Sequence, residues 1–282
     1  MIYIFTAAYC EAEIFIKNFG LKKVMECTCF QHFYQEEAGL RLTITGIGEI
    51  AAAAAVSSIC TKYKPNTDDF LLNAGICAGI GKREGIFLVN KIVEQATGMT
   101  FYPDLLYRHF FQEAGLMTGM RPWTGCKQEI NVPCISLFDM EAAAVYQAGS
   151  YYLGPHQMSF LKTVSDDGNY KDVTPRQVEE LIGRNMENIA EYIENLQTIL
   201  REAPRDEFFQ DHALQKKLEM LCLDLHCSRT MSESLRQYVR CCTLSGVDYG
   251  SVVEEMYREG KLPCKDKREG KQCFEELKKR LL

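Results

Sequence analysis

Hydrophobic and polar positions follow two periods through the first two hundred residues. Short apolar, β-branched runs of the kind used by buried strands recur at residues 2–7, 40–46, 69–75, 86–93, 132–138 and 158–164. Between them lie segments with helical spacing. One begins after Gly46-Ile47-Gly48 and contains Ala51 to Ala55 and Val56; another runs from Met140 to about Ala148, with Gly149 as its stop. Pro175 opens a long helix carrying Val178, Leu181, Ile182, Ile189, Ile193, Leu196 and Leu200 at helical intervals. Strands alternating with helices predict one α/β domain over residues 1–202. Two stretches stand apart. Residues 75–81 read as a small-residue loop, suited to close approach of a ligand or another backbone. Residues 98–131 read as irregular, and their aromatics Phe101, Tyr102, Tyr107 to Phe111 and Trp123 suit either a wall for a flat ligand or a subunit interface.

The pattern changes at Arg201-Glu202-Ala203-Pro204-Arg205-Asp206, a polar stretch with a helix-breaking proline. Strand patterns vanish beyond it. Asp206 to His226 reads as a helix, and Thr230-x-x-Glu233 and Ser251-x-x-Glu254 read as capping boxes opening two more. A final helix after Pro263 puts Phe274, Leu277 and Leu281 on one side. Residues 203–282 are therefore expected to be a small all-α module. Two roles suit it: packing on the α/β domain or a second subunit, or docking a protein partner.

Composition narrows the classes. The net charge of −6 does not suggest a nucleic-acid partner. Residues 203–282 hold 15 basic and 14 acidic side chains, so the excess acid sits in the first part of the chain. No apolar run is long enough for a membrane span. The start, Met1-Ile2-Tyr3-Ile4-Phe5, lacks a basic leader region and reads as a strand, so a cytoplasmic protein is expected. The 13 cysteines are odd in number and show no CxxC pair, which favours free thiols over a disulfide framework or a metal site.

Candidate chemistry sits at the strand ends. The run 132–138 ends on Asp139 and Glu141, and the run 158–164 ends on Ser165, Asp166 and Asp167. The first strand leads into Glu11 and Glu13, of which only one need be functional and either could merely favour a helix start. Carboxyl ends of strands in an open α/β sheet are where ligands bind. Three carboxylates, Glu11, Glu141 and Asp166, suit acid–base work on a sugar-like bond: one acid protonates the leaving group, one activates water, and one holds a hydroxyl.

These segments also carry a resemblance. Thr6-Ala7-Ala8-Tyr9-Cys10-Glu11, Gly46-Ile47-Gly48, Leu71-Leu72-Asn73-Ala74-Gly75, Asp139-Met140-Glu141-Ala142 and Val164-Ser165-Asp166 stand in the order found in the purine nucleoside phosphorylase and nucleosidase superfamily. The chain most resembles the methylthioadenosine/S-adenosylhomocysteine nucleosidases over residues 1–200. The resemblance implies a three-layer αβα domain with a central mixed sheet, no cofactor, and a homodimer or larger assembly. It implies that Asp166 protonates the purine, that Ser165 orients Asp166, and that Glu11 activates water, with Glu13 as the alternative. Glu141 would grip ribose hydroxyls and Met140 would pack on the sugar. Ile47, Gly48, Gly75 and Ile76 would complete the substrate pocket.

The hexameric bacterial phosphorylases carry an arginine where this chain has Asn73, as the nucleosidases do, and Glu49 follows the Gly46-Ile47-Gly48 turn. Hydrolysis of a purine nucleoside is therefore expected, with methylthioadenosine, S-adenosylhomocysteine and 5′-deoxyadenosine as substrate types. Phosphorolysis, with Arg83 or Arg121 holding phosphate, and a non-catalytic nucleoside binder are the alternatives. Two departures bear on the substrate. The segment between Gly81 and Phe138 is short and lacks the purine-stacking phenylalanine loop, leaving Phe101, Tyr102 or Trp123 to replace it. Ile76 also stands where the nucleosidases usually carry serine.

Overall fold

The computed structural model of the chain describes residues 1–25, 29–81, 84–125, 132–202 and 212–281. They fall into two compact units, Met1–Ala203 and Pro204–Leu282. No described helix is long and apolar enough to cross a membrane.

The first unit is built on a mixed sheet. Its described strands are β1 (Ile2–Thr6), β2 (Lys22–Lys23), β3 (Gln31–Gln35), β4 (Leu40–Ile44), β5 (Phe70–Gly79), β6 (Ile86–Glu94), β7 (Thr100–Phe101), β8 (Gln112–Thr118), β9 (Ile135–Asp139) and β10 (Met158–Asp166). β1 runs parallel to β4 and β5, and β5 runs parallel to β10. β5 is the pivot. One edge pairs with β10 from Leu71 to Ala78. The other pairs with β1 over Phe70–Asn73 and then with antiparallel β9 only at Ala78 and Gly79. β10 also pairs with β6, β6 with β8, and β8 with β9, so five strands return on themselves. Between β1 and β9 the edge of β5 is open from Ala74 to Cys77, and the candidate site residues gather at this split.

Both faces of the sheet are covered. Helices α1 (Tyr9–Phe19), α2 (Glu49–Tyr63), α3 (Ala142–Gly149), α4 (Pro175–Gly183) and α5 (Met186–Glu202) supply the outer layers. Alternation along β1 sends Tyr3 and Phe5 to one face, where Ala52, Val56 and Ile59 of α2 and Ala143 and Val145 of α3 close over them. It sends Ile2 and Ile4 to the other, against Phe15 of α1, Val178 of α4 and Ile189 and Ile193 of α5. Each fully buried aliphatic or aromatic side chain contributes roughly 1.5–3 kcal/mol of transfer free energy. The result is the three-layer αβα architecture with a central mixed sheet.

Several boundaries differ from the sequence reading, each for a local reason. The small residues 75–81 continue β5 as far as Gly79, because β10 and β9 pair with them. The stretch read as irregular contains β8, whose Ala114, Leu116 and Met117 are buried between β6 and β9. The strand read at 132–138 is displaced to Ile135–Asp139. The helix read from Met140 begins at Ala142, because Asp139 and Glu141 serve its entry. The single helix after Pro175 is two, broken at Arg184-Asn185; Thr174 caps the first by accepting from the Gln177 N–H.

The second unit is all-helical in the described residues: His212–Asp224, Arg229–Ser245, Tyr249–Arg258 and Lys267–Leu281. Residues 206–211 of the helix read from Asp206 lie outside the described residues. Its core contains Leu225, Leu235, Val239, Met256, Phe274 and Leu277. The caps fall earlier than the two expected boxes. Ser228 accepts from the Met231 N–H, and Asp248 accepts from the Ser251 N–H, so Thr230 and Ser251 lie inside their helices. Asp248 and Ser228 supply a side-chain oxygen at the residue before the first turn, which is what an N-cap requires.

Candidate active site

Glu11 stands in the first turn of α1, immediately after β1 turns away from the sheet. Its Oε2 accepts from the Ala7 and Ala8 N–H groups at 2.7 and 2.9 Å. Its Oε1 accepts at 2.8 Å from the Ile76 N–H, in the open part of the β5 edge. The carboxylate therefore bridges two strands, and its room comes from Gly75: a β-carbon there would lie 2.6 Å from Oε1. Burial pushes the Glu11 carboxyl above its ordinary range, against the three N–H donors and the charge of Lys162. Glu13 is on the other side of the turn, paired with Lys17 at 2.7 Å. Of the two acids, only Glu11 faces the site.

Asp166 reaches the same place from β10. The pairing of β10 with β5 shifts between Val164 and Asp166, a bulge at Ser165 that re-aims the next side chain. The Ser165 hydroxyl donates to Asp166 Oδ2 at 2.8 Å, and the Gly168 N–H donates to Oδ1 at 2.9 Å. Gly168 has φ 110°, and a β-carbon there would lie 2.5 Å from the Gly125 backbone, so only glycine suits this turn.

Glu141 arrives from the end of β9. Asp139 performs the capping work, accepting from the Ala142 N–H at 3.0 Å and from the Thr118 hydroxyl at 2.7 Å. Glu141 is thereby left to reach across and accept from the Gly48 N–H at 2.8 Å. It is 7% exposed, and burial followed by the neighbouring Asp139 charge pushes its carboxyl up to about 7.

Between these acids stands a cation that the sequence reading passed over. Lys162, in the middle of β10, is 2% exposed and pairs with Asp139 Oδ2 at 2.8 Å. Burial alone would lower its ammonium, but Asp139, Glu141 and Glu11 more than offset this and hold it above its usual value. A lone lysine in the otherwise uncharged run 158–164 was the available signal, since a fully buried lysine needs a carboxylate partner.

Glu11, Met140, Glu141, Ser165, Asp166, Ile47 and Ile76 line one cavity of 440 Å³, together with Asp139. Gly48 and Gly75 act behind the lining, one as a donor to Glu141 and the other as clearance for Glu11. Most of the remaining wall is apolar: Ala8, Cys10, Cys77, Pro122, Trp123, Phe138, Val173 and Val178. Of the three aromatics offered for the purine wall, only Trp123 is on the cavity. Phe101 stacks on Tyr146 with centroids 5.0 Å apart, and Tyr102 is exposed. No lysine or arginine lines the cavity among the described residues; Arg121 is exposed elsewhere, and Arg83 lies outside the described residues. Asn73 is turned into the sheet, donating to the Phe5 carbonyl at 3.1 Å.

No family model matches the chain, and no curated protein matches it. Solved structures do share its fold. The 5′-methylthioadenosine/S-adenosylhomocysteine nucleosidase of S. pneumoniae, solved with the transition-state inhibitor MT-ImmA, superposes with a TM-score of 0.58 at 15% identity, covering 69% of this chain and 99% of that one. The corresponding nucleosidase of Colwellia psychrerythraea 34H, in complex with adenine, gives 0.56 at 17% identity, covering 71% and 95%. A futalosine hydrolase mutant of Helicobacter pylori strain 26695 gives 0.51 at 12% identity, covering 71% and 95%. The α/β unit thus shares the fold of these nucleosidase and hydrolase structures.

Proposed function

We propose that the protein hydrolyses the N-glycosidic bond of a purine nucleoside and releases the free base. The observation that carries this reading is the convergence of Glu11, Glu141 and Asp166 on one apolar cavity without a lining cation among the described residues. Glu11 takes a proton from a water as its oxygen attacks C1′ of the sugar. The C1′–N9 bond breaks with its electrons passing into the purine, and Asp166 delivers a proton to N7, so that neutral base leaves. Glu141 accepts hydrogen bonds from the ribose hydroxyls, with Met140 against the sugar. Ser165 and the Gly168 N–H hold Asp166 at the base edge, while Trp123 and Phe138 offer flat faces to the purine.

Two features narrow the substrate. Cys10, Val173, Pro175 and Val178 give the cavity apolar lining suited to a 5′ substituent of methylthio, deoxy or homocysteinyl type. A phosphate dianion needs fixed positive charge or several converging N–H donors; the Ala7, Ala8 and Ile76 N–H groups are already committed to the Glu11 carboxylate. Ile47 lines the cavity while 67% exposed, and Ile50 on the next turn is 82% exposed. A second copy of the chain would cover this edge in a homodimer.

The test is adenine release from methylthioadenosine, S-adenosylhomocysteine and 5′-deoxyadenosine in phosphate-free buffer, followed by chromatography. The expected products are adenine and the free 5-substituted ribose, with Asp166→Asn lowering kcat by about 10²–10⁴-fold. Strict phosphate dependence with a ribose-1-phosphate product would establish phosphorolysis instead. Tight binding without turnover in either protein would establish a nucleoside binder.

A further inference from the structure

We propose that Cys222 and Cys227 of the helical unit form a hydroperoxide-reactive dithiol, with Cys222 as the attacking thiolate and Cys227 as the resolving thiol. The site arises from the way one helix ends. The helix His212–Asp224 stops on His226, whose φ of 48° is left-handed. The His226 N–H donates to the Leu223 carbonyl at 3.0 Å, and the Cys227 N–H donates to the Cys222 carbonyl at 2.9 Å. These nested bonds are a Schellman ending, which brings the residue three before the cap, Cys222, against the residue two beyond it, Cys227. That contact is ordinarily apolar. Here both of its positions are cysteine, and the backbone closure sets the two residues against each other. His226 is among the residue types that adopt this left-handed conformation most readily after glycine, and its ring nitrogen lies 3.0 Å from the Cys264 carbonyl.

The surroundings divide the labour. Ser232 Oγ lies 3.2 Å from Cys222 Sγ. A hydrogen bond from the Cys227 thiol, aided by Ser232 and the Arg236 charge, holds the Cys222 thiol below its ordinary range, and the same pairing pushes Cys227 up. Both sulfurs are half-buried, and both residues line a cavity of 410 Å³ together with Ser228, Ser232, Arg229 and Arg236. A second cysteine pair in this unit, Cys264 and Cys273, is buried, with both thiols directed at the Lys261 carbonyl at 3.5 Å. The first pair is therefore open to a small oxidant and the second is shielded. Among the described residues no group of three or more metal-ligating side chains is placed to hold an ion, so paired thiol chemistry suits the four cysteines better than metal binding.

The chemistry balances with hydrogen peroxide as the oxidant. The Cys222 thiolate attacks one peroxide oxygen, the O–O bond breaks, and hydroxide leaves as Cys222 becomes a sulfenic acid. The Cys227 sulfur then attacks Cys222, the S–O bond breaks, an S–S bond forms, and the Cys227 proton leaves with the hydroxyl as water. Two thiols lose two electrons to one peroxide. A thiol reductant reverses the disulfide by exchange.

The full chain provides the test. It is reduced, freed of reductant, exposed to limiting hydrogen peroxide while folded, alkylated, and mapped by mass spectrometry of non-reduced peptides. A Cys222–Cys227 cross-link is expected first, ahead of oxidation at the exposed Cys29, Cys134 and Cys241 by roughly tenfold in rate, as thiolate character predicts. In Cys227→Ser, a sulfenic acid trapped by dimedone should accumulate on Cys222; in Cys222→Ser, dimedone should not label Cys227. Oxidation of Cys29, Cys134 or Cys241 ahead of the pair would overturn the proposal. So would a Cys222 cross-link to Cys264 in place of Cys227, or equal labelling of the two single variants. The cross-link map of the unmodified chain decides the matter even if a variant folds poorly.

Discussion

At the scale of single residues, Glu11 and Glu141 are held in different ways, and the difference can be measured. Glu11 is fixed by three N–H donors and by the absence of a side chain at residue 75. Gly75→Ala would drive a methyl into Glu11 Oε1 and displace a carboxylate that has no slack. Since misplacing a reacting group by about 1 Å can cost about 10²-fold, kcat should fall by that order with little change in Tm. Gly183→Ala is the control, because its nearest neighbour is Ile14 at an ordinary 3.6 Å; its kcat should be unchanged. Glu141 is held by one N–H and is costly to ionise where it stands. Its folded carboxyl titrates near 7 against an ordinary 4.5, so the folded state binds the proton more tightly than the unfolded one. The stability cost is absent below about pH 4.5, grows through the interval, and is complete above about pH 7. Glu141→Gln should therefore unfold at higher denaturant than the parent at pH 8, lose that advantage near pH 4, and fail to turn over nucleoside at either pH. In the parent, kcat/KM should rise with an apparent pKa near 7 as Glu141 ionises to grip the sugar.

At the scale of elements, the site depends on one ion pair that joins two strands. Lys162 of β10 and Asp139 of β9 are both sealed from solvent, and Asp139 also anchors the start of α3. Lys162→Met leaves Asp139 buried without a counter-charge and should destabilise the protein by about 3–5 kcal/mol; the double variant with Asp139→Asn should recover much of that loss. Urea unfolding of the three variants checks both statements. Removing the ammonium also withdraws the positive charge that favours ionised Glu11 and Glu141, so the acid limb of kcat/KM should move to higher pH. The sequence showed the acids at the strand ends because a run of apolar residues ending on Glu or Asp is a local pattern. It did not show the pair behind them, because the partnership of residues 139 and 162 exists only once β9 and β10 both meet β5. The same holds for β8: Gln112-Glu113-Ala114-Gly115 begins too polar and too small to read as a strand, and its burial between β6 and β9 is what makes it one. Trp123 was one of three aromatics offered for the purine wall, and the sequence could not choose it over Phe101 and Tyr102, since its place on the cavity depends on the chain beyond that same strand.

At the scale of the whole molecule, each unit has a hydrophobic core of its own. Both helical layers over the sheet come from residues before 203, and every lining residue of the cavity falls between Ala7 and Val178. The helical unit buries its own leucines, phenylalanine and methionine around Leu235 and Phe274. The two also differ in charge, with the excess acid in the first and near balance in the second. We therefore expect the segment 1–202, expressed alone, to be soluble and to release adenine at a rate within about twofold of the full chain, as self-contained domains do. Size-exclusion chromatography with light scattering on both proteins would then assign any change in assembly to the helical unit. An insoluble or inactive 1–202 would mean that the helices complete the α/β unit or its second copy. A soluble, active 1–202 would instead leave them free to bind a protein partner, and pull-down with 203–282 as bait would gain its meaning from that result.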